Sequence, residues 1–301
     1  MKNRSAIVAL IAAGSLWGIT VALSKISLRW FDPTWLSAMR FMVATPVLAF
    51  IGRRGLRGAF KPRVLASGAI GYGAVVMIQN TGIAHTSVSH AAIIVGALPV
   101  VVALVAAGLG NGAARPLVWV GYGVALLGVV LVAKGGGGGA TVSGDMLVFV
   151  SVVMSGACIA VQPLILRDRD AASVTAVQFL AAGAVSIPAA LAGGLPHAPA
   201  STGPVLGFAA LAIIGTVLPF WLFAYGQAHV APELAGAFVN LEPLVGAMVG
   251  WVAFSDPVGP WQILGAAAVV AGIVISLLPA DIRLRLERNR RTVETASALV
   301  D

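Results

Sequence analysis

The residue whose chemistry most needs explaining is Glu242, a carboxylate inside the apolar run 232–254 and followed directly by Pro243. An ionisable group in hydrocarbon is costly and by default marks a functional site. Glu242 lies ten residues past Pro232; at about 1.5 Å per residue that is about 15 Å, half of a hydrocarbon layer about 30 Å thick. Pro243 removes a backbone donor and disrupts the helix, which frees the carbonyl of Val239 to face a cavity. A carboxylate placed there suits proton coupling or the binding of a substrate ammonium. The plainer alternative is a neutral or paired glutamate that holds helices together.

Arg40 stands six residues past Thr34, about 9 Å into its own run. It reads equally as a binder of a substrate carboxylate, a partner for Glu242, or a side chain that snorkels outward. Uncharged polar residues deep in apolar runs form a second tier: Gln79, Asn80, Gln162, Gln178 and Asn240. Hydrogen bonding between helices explains any one of them as well as substrate binding does. On a regular helix Asn240 points to a different face from Glu242, two positions on. His85 and His229 fall at helix ends and read as caps, whereas His90, near the outer start of the fourth run, remains a candidate. Trp17, Tyr72, Trp221 and Tyr225 offer faces for a planar substrate or an organic cation. Interface belts and packing account for lone aromatics equally well, so Trp17, deep in the first run, is the strongest. Lys25 and Arg29, one turn apart, read as interfacial anchors.

These side chains need elements to hold them, and composition says which. Soluble domains are about a quarter charged; this chain of 301 residues is 10% charged and 59% hydrophobic. In lipid the backbone must satisfy its own hydrogen bonds, so the choice is between helices and a closed barrel with alternating residues. The apolar runs are continuous, which predicts helices. Ten runs approach the roughly 20 residues a span requires: 5–24, 34–51, 64–84, 91–110, 117–133, 146–166, 174–195, 205–226, 232–254 and 260–279. With nine runs behind it, the first is expected to be an uncleaved helix, not a signal peptide. The single cysteine, Cys158, rules out an internal disulfide and a cysteine-based metal cluster.

Of the nineteen Lys and Arg residues, fifteen fall at Lys2 and Arg4, in the loops at 53–63 and 167–169, at Arg115 and in the tail at 283–291. Placing those segments in the cytoplasm satisfies the positive-inside rule and predicts that both termini face inward. The basic tail then reads as a juxtamembrane segment beside anionic lipid, not as a nucleic-acid patch.

The sequence also repeats itself. Shifted by 144 residues, His85 meets His229, Pro99 meets Pro243, Pro116 meets Pro260, Gly121 meets Gly265 and Gly128 meets Gly272. A shift of 138 aligns Gly18 with Gly156, Arg29 with Arg167, Asp32 with Asp170 and Phe41 with Phe179. Each repeat holds five runs, an odd number, so the second must enter the membrane in the opposite sense. Inverted repeats are the architecture of alternating-access transporters, with a substrate site near the midplane. The glycines at 135–139 read as a flexible linker; a phosphate-binding loop would need a Gly-Lys-Ser/Thr that is absent.

Leu16-Trp-Gly, Leu36-Ser-Ala-Met-Arg-Phe41, Thr86-Ser-Val-Ser-His-Ala-Ala92 leading to Leu98-Pro99, and Leu241-Glu-Pro-Leu-Val-Gly246 together resemble the EamA family of the drug/metabolite transporter superfamily. The resemblance covers residues 5–280 and implies an all-α membrane protein of ten helices in two inverted five-helix EamA repeats. It also implies efflux of amino acids, purines or other metabolites. The family commonly carries the Glu-Pro pair, which implies a shared role for Glu242 over a substrate-specific one. The expected domains are a first repeat at 5–134, a linker at 135–145, a second repeat at 146–280 and a basic tail at 281–301.

No His-Glu-x-x-His, paired acidic motif or Walker lysine is present, so neither an enzyme nor a bound cofactor or metal is expected. The expected function is a secondary active exporter of small metabolites in the bacterial inner membrane, with proton coupling open. The alternatives are a lipid flippase and a facilitative, channel-like permease. Expected partners are the small-molecule substrate, protons and membrane lipids, with no nucleic acid. Pro99 and Pro243 are the expected helix breaks.

Overall fold

The computed structural model describes residues 2–108, 116–135, 139–166, 168–227, 241–272 and 274–275. Six helices are long and apolar enough to cross a membrane: Arg4–Ser27, Pro33–Ile51, Pro62–Ala84, Val142–Gln162, Ala171–Ala192 and Thr202–Phe220. Four shorter apolar helices accompany them, Val88–Val102, Trp119–Val132, Leu241–Ala253 and Pro260–Gly272. Among the described residues there is no β-strand. Residues 228–240, which open the ninth apolar run, lie outside the described residues, as do the tail at 281–301, Arg167, His229 and Asn240.

Polarity is distributed inside out. Val252 is 79% exposed and Leu164 72%, whereas Asn80, Gln178, His90 and Asp145 are at most 4% exposed. Apolar side chains on the outside and polar ones within fit a lipid surround, where an unpaired polar group on the surface would be the costly arrangement. The chain is a multi-pass membrane protein.

Local chemistry sets the helix ends. Asp32 accepts from the backbone N–H of Thr34 at 2.8 Å and Trp35 at 3.0 Å, and Pro33 supplies a first helical position that needs no donor. Asp170 does the same for Ser173, at 2.8 Å. The two helices so started, Pro33–Ile51 and Ala171–Ala192, run antiparallel along one another: Ser173 Oγ donates to the carbonyl of Gly52 at 2.6 Å, and the rings of Phe41 and Phe179 meet at 5.0 Å. A second seam joins Pro116–Gly135 to Pro260–Gly272 through glycine. A Cβ on Gly128 would lie 2.6 Å from the carbonyl oxygen of Gly265, and one on Gly272 would overlap that of Gly121.

Four helices depart from the α-helical path inside the bundle. The first divides at Ile19, between Lys2–Gly18 and Thr20–Ser27; the Thr20 hydroxyl donates to the carbonyl of Trp17 at 2.6 Å, competing with the backbone ladder. The fourth divides at Gly96 and Ala97, between Val88–Val95 and Leu98–Gly108, because Pro99 has no N–H to return to Val95. The third and eighth widen into π turns at Ala69–Ala74 and Ile213–Val217. The end of the expected linker is tied down: the backbone N–H and hydroxyl of Thr141 both donate to the carbonyl of His85, at 3.1 and 2.7 Å.

Candidate functional site

Glu242 begins its described helix one residue after Leu241, in the first turn, with Pro243 buried behind it. Two of the helix breaks converge on this pair. A Cβ on Gly18 would lie 2.8 Å from the carbonyl oxygen of Glu242 and 2.6 Å from Cβ of Val245. A Cβ on Gly96 would lie 2.6 Å from Cβ of Pro243. Any side chain at either position would push the helices apart, so glycine is what lets the broken first and fourth helices close on the Glu-Pro step.

Arg40 faces the same interior from the Pro33–Ile51 helix. Its Nε donates to Thr216 Oγ1 at 2.7 Å and its Nη2 to the carbonyl of Gly215 at 3.3 Å, so the guanidinium is held by the π turn at Ile213–Val217. Arg40 and Glu242 act on each other electrostatically, yet the ion pair closer than 4.0 Å among the described residues is a different one, His90 with Asp145. The two charged side chains do not form an ion pair of 4.0 Å or less. Both are only partly buried, beside a Phe41 that is 2% exposed.

Aromatic rings floor that interior. Trp17 packs edge-on to Phe220 at 5.4 Å and against Phe223 at 5.1 Å; Phe220 meets Phe179 at 5.6 Å, and Phe179 meets Tyr72 at 5.1 Å. Tyr72 stands in the π turn at Ala69–Ala74, and Trp17 adjoins the break in the first helix. The candidate site is thus Glu242 and Arg40 together with the rings of Trp17, Phe220, Phe179 and Tyr72.

Other residues singled out by sequence go elsewhere. Asn80 donates to Ser37 Oγ at 2.9 Å. Gln162 and Gln178 exchange amide hydrogen bonds at 3.1 and 2.9 Å, and Gln178 also donates to Ser67 at 2.9 Å. Those contacts join helices and account for all three amides. Gln79 is half-buried and makes no hydrogen bond among the described residues. Tyr225, 36% exposed, meets Ser5 at 3.4 Å near the bundle end. Asn240 and the side chains of Trp221 and Pro99 lie outside the described residues. His85 caps, its Nδ1 lying 2.8 Å from the carbonyl of Thr81.

His90 belongs to a second polar centre. Its Nδ1 pairs with Asp145 Oδ2 at 3.0 Å, and Thr86 Oγ1 donates to Asp145 Oδ1. Lys25, expected at the interface, turns inward instead: its ammonium donates to the carbonyls of Ile83, Ala84 and Thr86 at 2.7, 3.0 and 2.6 Å, capping the third helix. Asp256 accepts from the N–H of Ser89 at 2.7 Å, capping the fourth. The hub is the segment Thr86-Ser-Val-Ser-His90, which both caps hold. Sequence reasoning missed Asp145 and Asp256 because each falls just outside an apolar run, where acidic residues are ordinary. Phe179 and Phe220 were missed as packing residues, although the match of Phe41 with Phe179 was a usable signal.

A model described as the EamA-like transporter family matches residues 4–134 and 142–278. An "uncharacterized transporter" of Archaeoglobus fulgidus is 26% identical, spanning 87% of this chain and 93% of its own. The "uncharacterized inner membrane transporter YedA" of Escherichia coli K12 is 25% identical over 90% of each chain. A "probable terminal-alkyne amino-acid exporter" of Streptantibioticus cattleyicolor is 25% identical over 91% of this chain and 94% of its own. A protein solved by crystallography shares the fold, at a TM-score of 0.68 and 22% identity, covering 93% of this chain and 99% of the other.

Proposed function

The chain belongs to the EamA-like transporter family, and we propose that it exports small zwitterionic metabolites, amino acids or their relatives, by alternating access between two inverted halves. What supports this reading is an arginine and a glutamate in the bundle that act on each other electrostatically without forming an ion pair of 4.0 Å or less. A substrate carboxylate would meet the Arg40 guanidinium, its ammonium would meet Glu242, and its side chain would lie against Trp17, Phe220 and Tyr72. Arg offers five donors, of which the Thr216 and Gly215 contacts engage two nitrogens. The exporter of amino acids among the relatives supports the same substrate class.

Support for inverted halves comes from reciprocal contacts. Where residue a of the first half meets b of the second, the counterpart of b meets the counterpart of a, as in an isologous interface. Gly121 meets Gly272 while Gly128 meets Gly265; Gly18 meets Val245 while Gly156 meets Val101; Gly71 meets Cys158 while Gly215 meets Thr20. Each set obeys the shifts of 138 and 144 residues. Phe41 meets its own counterpart, Phe179, as a residue on a two-fold axis must. With both termini inside, the Lys25–Asp256 end is the outer one.

The test is Glu242→Gln in proteoliposomes. Substrate is first found by comparing the metabolites retained by cells with and without the protein. Expected is intact expression and loss of pH-driven flux; wild-type flux across a pH gradient would remove Glu242 from the mechanism. Export of long-chain lipid insensitive to Glu242 would point to a flippase instead.

A further inference from the structure

A cavity of about 580 Å³, remote from Glu242, is lined by Lys61, Pro62, Arg63, Val64, Val161, Leu164, Ile165 and Arg169. Three of these are cations and none is acidic. They come from two segments far apart in sequence: the approach to the Pro62–Gly68 helix, and the turn after Val142–Leu166. None of the three is in an ion pair closer than 4.0 Å among the described residues. Arg169 spends one donor on the carbonyl of Ile165, at 2.7 Å, which fixes the guanidinium at the rim.

Three exposed cations on one rim, with no acidic residue in the lining, make a local positive potential that favours an anion. The rest of the wall says which kind of anion. Val161 and Leu164, one turn apart, extend the cavity as an apolar stripe, and Leu164 is 72% exposed. A free inorganic anion has no use for that stripe, whereas a molecule with a charged head and a hydrocarbon tail matches both parts. The volume is in the range of sites that hold ligands of this size. With the termini inside, the rim also lies at the cytoplasmic interface, where anionic lipid is encountered.

We propose that this cavity binds the phosphate headgroup of an anionic phospholipid through Lys61, Arg63 and Arg169, with one acyl chain on the Val161–Leu164 face. The Arg side chains supply forked donors that fit phosphate oxygens, and Lys61 a compact charge.

The experiment reads lipid retention, so it stands whether or not Glu242 carries substrate. The purified full chain is exchanged into detergent containing equal phosphatidylglycerol and phosphatidylcholine, and bound lipid is counted by native mass spectrometry. Wild type is expected to retain phosphatidylglycerol preferentially. The triple variant Lys61→Gln, Arg63→Gln, Arg169→Gln is expected to bind it roughly a hundredfold more weakly, about fivefold per cation. The double variant Arg53→Gln, Arg54→Gln serves as the control for general charge and is expected to retain it. Equal retention of the two lipids by wild type, or equal loss in the control, overturns the proposal. Displacement of the lipid by millimolar inorganic phosphate would assign the cations to a free anion and overturns it too. Should the triple variant fail to fold, Leu164→Trp decides: its indole is expected to be quenched more by brominated phosphatidylglycerol than by brominated phosphatidylcholine, and equal quenching overturns the site.

Discussion

At the end of the bundle where the third helix meets the fourth, charges are consumed. The Lys25 ammonium reaches three carbonyls, Asp145 accepts from His90 and Thr86, and Asp256 takes a backbone N–H. In the middle of the bundle the Glu242 carboxylate has no hydrogen-bond partner among the described residues, and Arg40 keeps donors in hand. Both regions hold charge partly withdrawn from water, which is costly unless the groups are paired. The end region has met that cost within the protein and so holds helices. In the middle, no described residue forms an ion pair with either charge. Saturation, more than burial, separates the two regions among the described residues. His90 Nε2, at that end, is buried with no hydrogen-bond partner among the described residues.

The comparison breaks first at Lys25. Lys25→Met strands three carbonyls, each costing about 1–3 kcal/mol if left unsatisfied. The thermal midpoint should fall steeply in detergent, while flux per folded molecule is kept; an unchanged midpoint would mean that water serves those carbonyls as well. Arg40→Gln should do the reverse. Losing a charged hydrogen bond to substrate costs about 1.5–3 kcal/mol, roughly ten- to a hundredfold in apparent affinity, with the melting curve little changed. A large fall in stability there would make Arg40 structural and collapse the distinction. Smallest is Gln162→Leu, which removes one side of a reciprocal amide pair between helices. Such bonds average about 0.6 kcal/mol in membrane proteins, so a slight loss of midpoint with normal flux sharpens the contrast, and lost flux would return Gln162 to the site.

Much of this arrangement was legible beforehand, for reasons that can be named. Glu242 stood out because a carboxylate in an apolar run has no ordinary explanation. Pro99 pointed to a break in the fourth helix because the missing N–H is a covalent fact. What stayed hidden depends on distance in sequence. The partners of Thr86 and Ser89 are Asp145 and Asp256, 59 and 167 residues away, and no periodicity links them. The π turn that holds Arg40 leaves no mark in composition either, since Ile213-Ile-Gly-Thr-Val217 reads as plain apolar helix. Lys25 looked interfacial because its place at the end of a run was visible and the fold of the third helix over it was not.

The glycine seam between Pro116–Gly135 and Pro260–Gly272 has a consequence for entropy. Backbone touches backbone at Gly121, Gly128, Gly265 and Gly272, so no rotamers are frozen at those points when the helices meet. Ordering a larger side chain costs up to about 1.5–2 kcal/mol, and here that loss is absent. The contact also draws nothing from the exclusion of water, which lipid does not provide. Its strength is therefore mostly dispersion and dipole contact at short range, which depends weakly on temperature and falls away within an ångström or so of separation. A seam of that kind is closed or open, with little in between.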